Sequence, residues 1–212
     1  MDKISFILDY LHKNYKGSDT SLDHSTDFQM LIATMLSAQA TDVSVNKISQ
    51  ELFKRFPNPE DFAKANVSKI QKYIKSINYY KTKSRNIKKC SELLVKKFNS
   101  KIPSTMEKLL ELPGVGRKTA NVVLGVVFNK SEGVVVDTHV SRISYRLGLS
   151  NYKDNPIKIE QDLIQLIPEN ERIFYGHSLV YHGRKICDAR KPLCNECSLS
   201  KICEKKGVLS NK

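Results

Sequence analysis

The sequence predicts an all-α protein. Apolar residues recur at helical spacing in almost every segment, and no alternating polar and apolar stretch is long enough for a convincing strand. Polar caps and Asn-Pro pairs mark helix starts, as at Asn58-Pro59 and Asn155-Pro156. A proline–glycine break at Pro113-Gly114-Val115-Gly116 joins two helical stretches through a tight hairpin.

In chain order, Ile4, Ile7, Leu8 and Leu11 give a helix over 1–15 one apolar stripe. Thr26 and Gln29 have capping-box spacing, ahead of Phe28, Leu31, Ile32, Met35 and Leu36. Thr41 or Asp42 caps the next helix, with Val45, Ile48, Leu52 and Phe56 facing in. Asn58-Pro59 opens a short helix, and Ile70, Tyr73, Ile74 and Ile77 mark another. A longer helix over 81–98 buries Ile87, Leu94 and Phe98. Ser104 and Glu107 are spaced as a second capping box before Leu109, Leu110 and Leu112. Beyond the hairpin, a helix over 117–128 aligns Ala120, Val123, Leu124 and Val127. Asp137 caps a helix that stops before Gly148, with Val140, Ile143, Ser144 and Leu147 on one face. Helices from Asn155-Pro156 to near Pro168, and over 171–185, complete the chain. The polar stretches 17–24 and 129–133 are the natural boundaries, so one compact domain is expected over 22–132.

The chain has 212 residues, with 35 Lys and Arg against 22 Asp and Glu, a formal net charge of +13. That excess favours a polyanionic partner, nucleic acid first and an anionic membrane surface second. No apolar run approaches the ~20 residues of a membrane span. The start, Met1-Asp-Lys-Ile-Ser5, has neither the cationic nor the long apolar region of a secretory signal, so a cytoplasmic location is expected.

The hairpin is the first candidate site. Glycine accepts positive φ at little cost, so Gly114 and Gly116 allow a tight turn. The bare amides of Gly114, Val115 and Gly116 then sit at the positive end of the following helix, a place suited to one phosphate. Lys118 falls in the first turn of the same helix, beside whatever the hairpin binds. The same residues also fit an ordinary corner between helices with an exposed lysine.

The second candidate is a cysteine cluster. Of five cysteines, Cys187, Cys194, Cys197 and Cys203 follow the pattern C-x6-C-x2-C-x5-C. In a chain without secretory features this spacing indicates a metal centre rather than disulfides. Four thiolates suit either a zinc ion or a cubane iron–sulfur cluster, and the uneven spacing fits the larger group better. Cys90 stands apart on a helix and is expected to be a buried thiol. Arg184, Lys185, Arg190, Lys191 and Lys201 surround the cluster, as a phosphate-facing surface or a solvated loop. Lys81, Lys83, Arg85, Lys88 and Lys89 form another basic run with the same two readings. His12, His24, His177 and His182 have no partner pattern and are expected to be structural or on the surface.

Leu112-Pro-Gly-Val-Gly-Arg-Lys-Thr-Ala-Asn121, Val136-Asp-Thr-His139, Leu36-Ser-Ala-Gln-Ala-Thr-Asp42 and the four-cysteine pattern together resemble the endonuclease III family of helix-hairpin-helix DNA glycosylases. The resemblance runs from about residue 25 to 205. It implies a six-helix barrel domain over 22–132, containing the hairpin. It also implies an iron–sulfur cluster helical domain, formed by both chain ends, 1–21 and 133–212. Damaged double-stranded DNA would lie across the two, and a monomer would act on it. The family's activity is removal of oxidised pyrimidines followed by strand cleavage 3′ to the abasic site. By the same resemblance Lys118 is the nucleophile, Asp137 the catalytic carboxylate, and Cys187, Cys194, Cys197 and Cys203 hold a [4Fe–4S] cluster. Gln39 is the residue inserted opposite the flipped nucleotide, and His139 lies near the DNA backbone. Tyr79 stands where the family usually has an aliphatic wedge, a departure that changes how the opposite strand is met. An enzyme removing mismatched thymine, uracil or adenine is the nearest rival, and Lys118 and the chain's end at residue 212 count against it. A non-catalytic DNA-binding module is the rival of another class, and it leaves Lys118 and Asp137 together unexplained.

Overall fold

The computed structural model describes residues 2–17 and 20–208. The described residues form α-helices and short 3-10 turns, with no strand among them. In order the helices are α1 (Lys3–Tyr15), α2 (Asp27–Ser37), α3 (Asp42–Arg55), α4 (Pro59–Lys64), α5 (Val67–Ile74) and α6 (Tyr80–Phe98). Then come α7 (Met106–Leu110), α8 (Arg117–Phe128), α9 (Thr138–Leu147), α10 (Pro156–Leu166) and α11 (Arg172–Lys185). The chain divides into two compact units, Ser21–Lys130 and Met1–Thr20 with Ser131–Lys212.

The unit Ser21–Lys130 is built around α2. Phe28 and every residue from Met30 to Leu36 are buried, so this helix has almost no solvent face. Helices α3, α6 and α8 pack against it, and α4 and α5 pack on α6. Their shared core includes Leu31, Leu36, Leu52, Ile70, Ile87, Leu109 and Leu124. Thr26 caps α2, accepting from the Gln29 amide at 3.2 Å, while the Gln29 side chain reaches back to the amide of Ser25. Thr41, not Asp42, caps α3. Cys90 is fully buried, and its surroundings push the thiol up to about 12.

Two local expectations are corrected. Ser104 and Glu107 form no capping box: α7 starts one residue later, with Thr105 at its cap position and no side-chain cap bond. Leu110 accordingly faces outward at 45% exposure, whereas Leu109 and Leu112 are buried. Only one hairpin glycine uses its conformational freedom. Gly114 has φ +83°, but Gly116 is extended at φ −98° and serves as the cap residue of α8.

The other unit packs α11 against α9 and α1, and α10 against α9. Ile7, Leu11, Val140, Ile143, Leu147, Leu163, Tyr175 and Leu179 belong to its core. Asp137 caps α9 as the sequence indicates, and Gly148 closes it in the left-handed conformation. Helix α11 begins at Arg172, after a 3-10 turn over Glu169–Glu171.

The hairpin glycines differ in a measurable way. A Cβ on Gly114 would stand 2.8 Å from Asn86 Cβ and 3.0 Å from Met35 Cε, in a backbone conformation that L side chains avoid. Nothing lies within 4 Å of a Cβ on Gly116. Gly114→Ala is therefore expected to cost about 1–3 kcal/mol in urea unfolding, and Gly116→Ala less than about 1 kcal/mol.

Candidate functional site

The hairpin is made by local bonding. Pro113 and Gly114 carry the chain back after α7, and the Val115 amide donates to Leu112 O at 3.0 Å. That bond corrects the three-amide reading: the Val115 N–H is spent inside the turn, and its side chain is buried. Gly114 and Gly116 keep N–H groups with no protein acceptor among the described residues. Two amides at the start of α8 thus face outward for an anion. Lys118 is exposed in the first turn of α8 and makes no hydrogen bond or ion pair among the described residues. An amine with no protein partner is available to whatever the hairpin holds.

Gln39 follows α2 and Tyr79 precedes α6. Both adopt left-handed backbone, with φ 55° and 59°, unusual for residues with side chains. Tyr79 is 66% exposed, so it is not a packing residue of the core. The two loops touch: Asn78 Nδ2 donates to Gln39 O at 2.9 Å. The basic run beside them is mixed. Lys81, Arg85 and Lys89 are exposed, but Lys83 turns inward and donates to Leu36 O and Ala38 O at 2.7 and 2.6 Å. Burial pulls the Lys83 ammonium below its ordinary pKa. Neither a solvated face nor a phosphate contact describes Lys83, and only its helical spacing to Ile87 and Cys90, both inward, signals its burial.

In the second unit Asp137 Oδ1 accepts from the amides of His139 and Val140, each at 2.8 Å. Its other carboxylate oxygen has no hydrogen bond among the described residues. His139 is turned to its own unit: Nδ1 accepts from Arg142 Nη2 at 3.1 Å, and the ring covers Gly183, where a Cβ would come within 2.4 Å. Burial is the main cause holding this imidazole below its ordinary pKa. The Nδ1 edge of His139 is therefore committed, which leaves Nε2 for an outside partner.

Cys187, Cys194, Cys197 and Cys203 line one cavity with Ile143, Leu147 and Leu199. Arginines hold the loop that carries them. Arg142 Nη2 donates to Cys187 O at 2.9 Å and to Gly183 O at 3.2 Å. Arg146, 5% exposed, donates to Asp188 O at 2.7 Å, Ala189 O at 2.9 Å and Cys187 Sγ at 3.2 Å. The Lys205 amide approaches Cys203 Sγ at 3.4 Å. His182, read from the sequence as structural or superficial, is buried. Its Nδ1 lies 3.0 Å from Tyr15 Oη and its Nε2 3.8 Å from Cys197 Sγ. Burial first, and Arg142 second, pull it down to about 4. Burial also pushes the Cys197 and Cys203 thiols upward. Among the described residues no three His, Cys, Asp or Glu side chains are grouped to hold a single metal ion.

This geometry agrees with three comparisons. Residues 32–169 match the model of the HhH-GPD superfamily base excision DNA repair proteins. The chain is 47% identical to the endonuclease III of Synechocystis sp. over 197 residues, which cover 93% of this chain and 90% of that protein. It is 37% identical to the endonuclease III of Bacillus subtilis, covering 99% and 98%. The chain belongs to the endonuclease III family. A solved endonuclease III trapped as a covalent intermediate with DNA superposes with a TM-score of 0.89 at 38% identity, covering 97% of both chains.

The capping bonds of Asp137 can be tested on stability alone. Asp and Asn cap helices about equally well, whereas Ala does not. Asp137→Ala is expected to lower unfolding stability by about 0.5–2 kcal/mol, and Asp137→Asn by far less, both read by urea unfolding monitored by helical circular dichroism.

Proposed function

We propose that this chain removes oxidised pyrimidines from duplex DNA through a Schiff base on Lys118, and then cuts the strand by β-elimination. As an endonuclease III family member it is a DNA glycosylase with AP lyase activity, acting in base-excision repair. The observation that carries the residue-level reading is the Lys118 amine, exposed and unpartnered beside two outward amides.

A base inside a duplex shields its sugar carbon, so the nucleotide must leave the stack first. The Lys118 nitrogen then forms a bond to C1′ as the bond from C1′ to the base breaks. That nitrogen gives up one proton to the departing base and a second to O4′ as the C1′–O4′ bond breaks and the sugar ring opens, leaving the imine. The imine makes a C2′ proton acidic, and its removal expels the 3′ phosphate oxygen. Water cannot form that imine, so an amine nucleophile distinguishes a lyase from a simple hydrolase. The free oxygen of Asp137 stabilises positive charge at C1′ or carries protons there, while its partner oxygen holds α9. Gly114 and Gly116 hold a phosphate through their amides. Gln39 and Tyr79 fill the gap left by the extruded nucleotide, Tyr79 by stacking on exposed bases. His139 Nε2 is the edge left for the DNA backbone.

The cysteine chemistry fits a [4Fe–4S] cluster. Four thiols share one cavity, and donors from Arg146, His182 and Lys205 approach three of the sulfurs. Cys187, Cys194, Cys197 and Cys203 would be its ligands. Held by these four thiolates, such a cluster would fix the 187–203 loop, and the exposed Arg184, Lys185, Arg190, Lys191 and Lys201 would offer a fixed cationic surface to DNA. Within this reading 21–130 is the barrel domain and the joined chain ends are the cluster domain. The enzyme works as a monomer on cytoplasmic, nucleoid DNA. No helix among the described residues is long and apolar enough to cross a membrane.

Borohydride trapping tests the chemistry. A duplex with one thymine glycol and another with an abasic site should both yield a covalent adduct, lost in Lys118→Ala. Asp137→Asn should keep the fold and reduce single-turnover excision about 100-fold or more. An adduct on the abasic site alone would overturn the oxidised-pyrimidine assignment; none on either would overturn the amine nucleophile. The cluster reading has its own check. Purified protein should be brown with broad visible absorbance, abolished in Cys187→Ser, and a colourless zinc-loaded protein would overturn it.

A further inference from the structure

The left-handed backbone of Gln39 and Tyr79 needs an external cause, because neither residue favours it. Three side-chain bonds supply one. Asn78 Nδ2 donates to Gln39 O at 2.9 Å, and Lys83 Nζ donates to Leu36 O and Ala38 O at 2.7 and 2.6 Å. All three run from the segment 78–83 to the segment 36–39. Tyr79 O in turn accepts from the Thr82 and Lys83 amides, each at 3.0 Å. The loop of Gln39 is thus tied to the loop of Tyr79 and to the first turn of α6. Lys83 is a buried cation whose hydrogen-bond partners among the described residues are carbonyl oxygens. That is a costly choice for a residue whose only task is packing.

We propose that Asn78 and Lys83 form a clamp that presets Gln39 and Tyr79 as one rigid pair for insertion into damaged duplex. Lys83 is the buried anchor and Asn78 the exposed latch; both are positioning residues. The proposal rests on the reading of Gln39 and Tyr79 as the residues that fill the gap. Its physical basis is preorganisation: a wedge on a loose loop spends affinity on ordering when it binds, and a wedge already held does not. The latch acts only on lesion-containing duplex, because only there is a gap to enter. It also couples the two loops, since moving one displaces the other.

A double-mutant cycle tests this with the full-length, cluster-loaded protein. Binding is measured by fluorescence anisotropy on a duplex with one tetrahydrofuran abasic analogue and on the same duplex undamaged. Gln39→Ala and Asn78→Ala should each weaken binding to the analogue about fivefold, with less than twofold change on undamaged duplex. The double variant should lose clearly less than the product of the two single losses, because with the Gln39 side chain gone the latch has only Tyr79 left to position. A full further fivefold loss in the double variant would show that Asn78 acts independently, and would overturn the clamp. So would unchanged binding in Asn78→Ala when Gln39→Ala has weakened it, with the gap-filling reading left standing. Unchanged binding in Gln39→Ala would overturn the gap-filling reading and the clamp together.

Discussion

The unit Ser21–Lys130 depends on how one helix end is satisfied. Helix α2 is apolar on nearly every side, and the carbonyl of buried Leu36 in its last turn needs a donor. The Lys83 ammonium meets Leu36 O and Ala38 O. A cation at that end also complements the helix dipole. The cost is desolvation, visible as the downward pull on its pKa. The consequence is geometric. Lys83 sits in the first turn of α6, so the end of α2 and the start of α6 are fixed to each other. Helices α4 and α5 pack on α6, and α8 packs on α2, so that junction sets the frame for the hairpin carried by α8.

The other unit solves a similar problem with arginine. The segment after α11 has little regular structure, and its carbonyls at Cys187, Asp188 and Ala189 need donors. Arg142 and Arg146, one turn apart on α9, supply them through planar forks that reach several oxygens at once. A lysine offers one compact head and would not span the same set. Tyr10 and Tyr15 on α1 meet His182 Nδ1 at 3.3 and 3.0 Å, and His182 faces Cys197 on its other edge. These bonds tie the first helix of the chain to the cysteine segment near its end, which hydrophobic periodicity cannot reveal.

What the sequence made legible follows from the range of the interactions involved. Caps at Thr26, Asn58, Asp137 and Asn155 are local, spanning two to four residues, and they sit where their spacing indicates. The stripes of α2, α3 and α9 are equally local, as are the cysteine spacing and the exposed Lys118. Failures arise where tertiary bonding decides. Ser104 has capping-box spacing, yet the chain enters α7 one residue later. Val115 has a glycine on each side, yet its amide closes the turn. Lys83 belongs to a basic run by composition and to the interior by geometry. Arg146 is adjacent in sequence to core Leu147, and only the carbonyls it reaches from the far loop explain its burial. A polar residue beside an inward stripe is the one sequence signal common to Lys83 and Arg146.

A repair enzyme must meet its lesion in every sequence context, and this constrains which groups touch DNA. Contacts that read base edges would restrict it, whereas contacts to phosphates do not. The outward groups of the hairpin are main-chain amides of Gly114 and Gly116, which in the proposed function would answer to charge and geometry only. In the same proposal the exposed cations around the cysteine loop would add attraction without base discrimination. In the function proposed above, selectivity comes from side chains that act only after a nucleotide has left the stack: Gln39, Tyr79, Lys118 and Asp137. None of them is held through its own reactive group paired with another. Gln39 and Tyr79 are set by left-handed backbone, Lys118 by the first turn of α8, and Asp137 by its own capping bonds. Such residues can be rigid without neutralising one another, and an unpaired amine needs that freedom if it is to attack carbon.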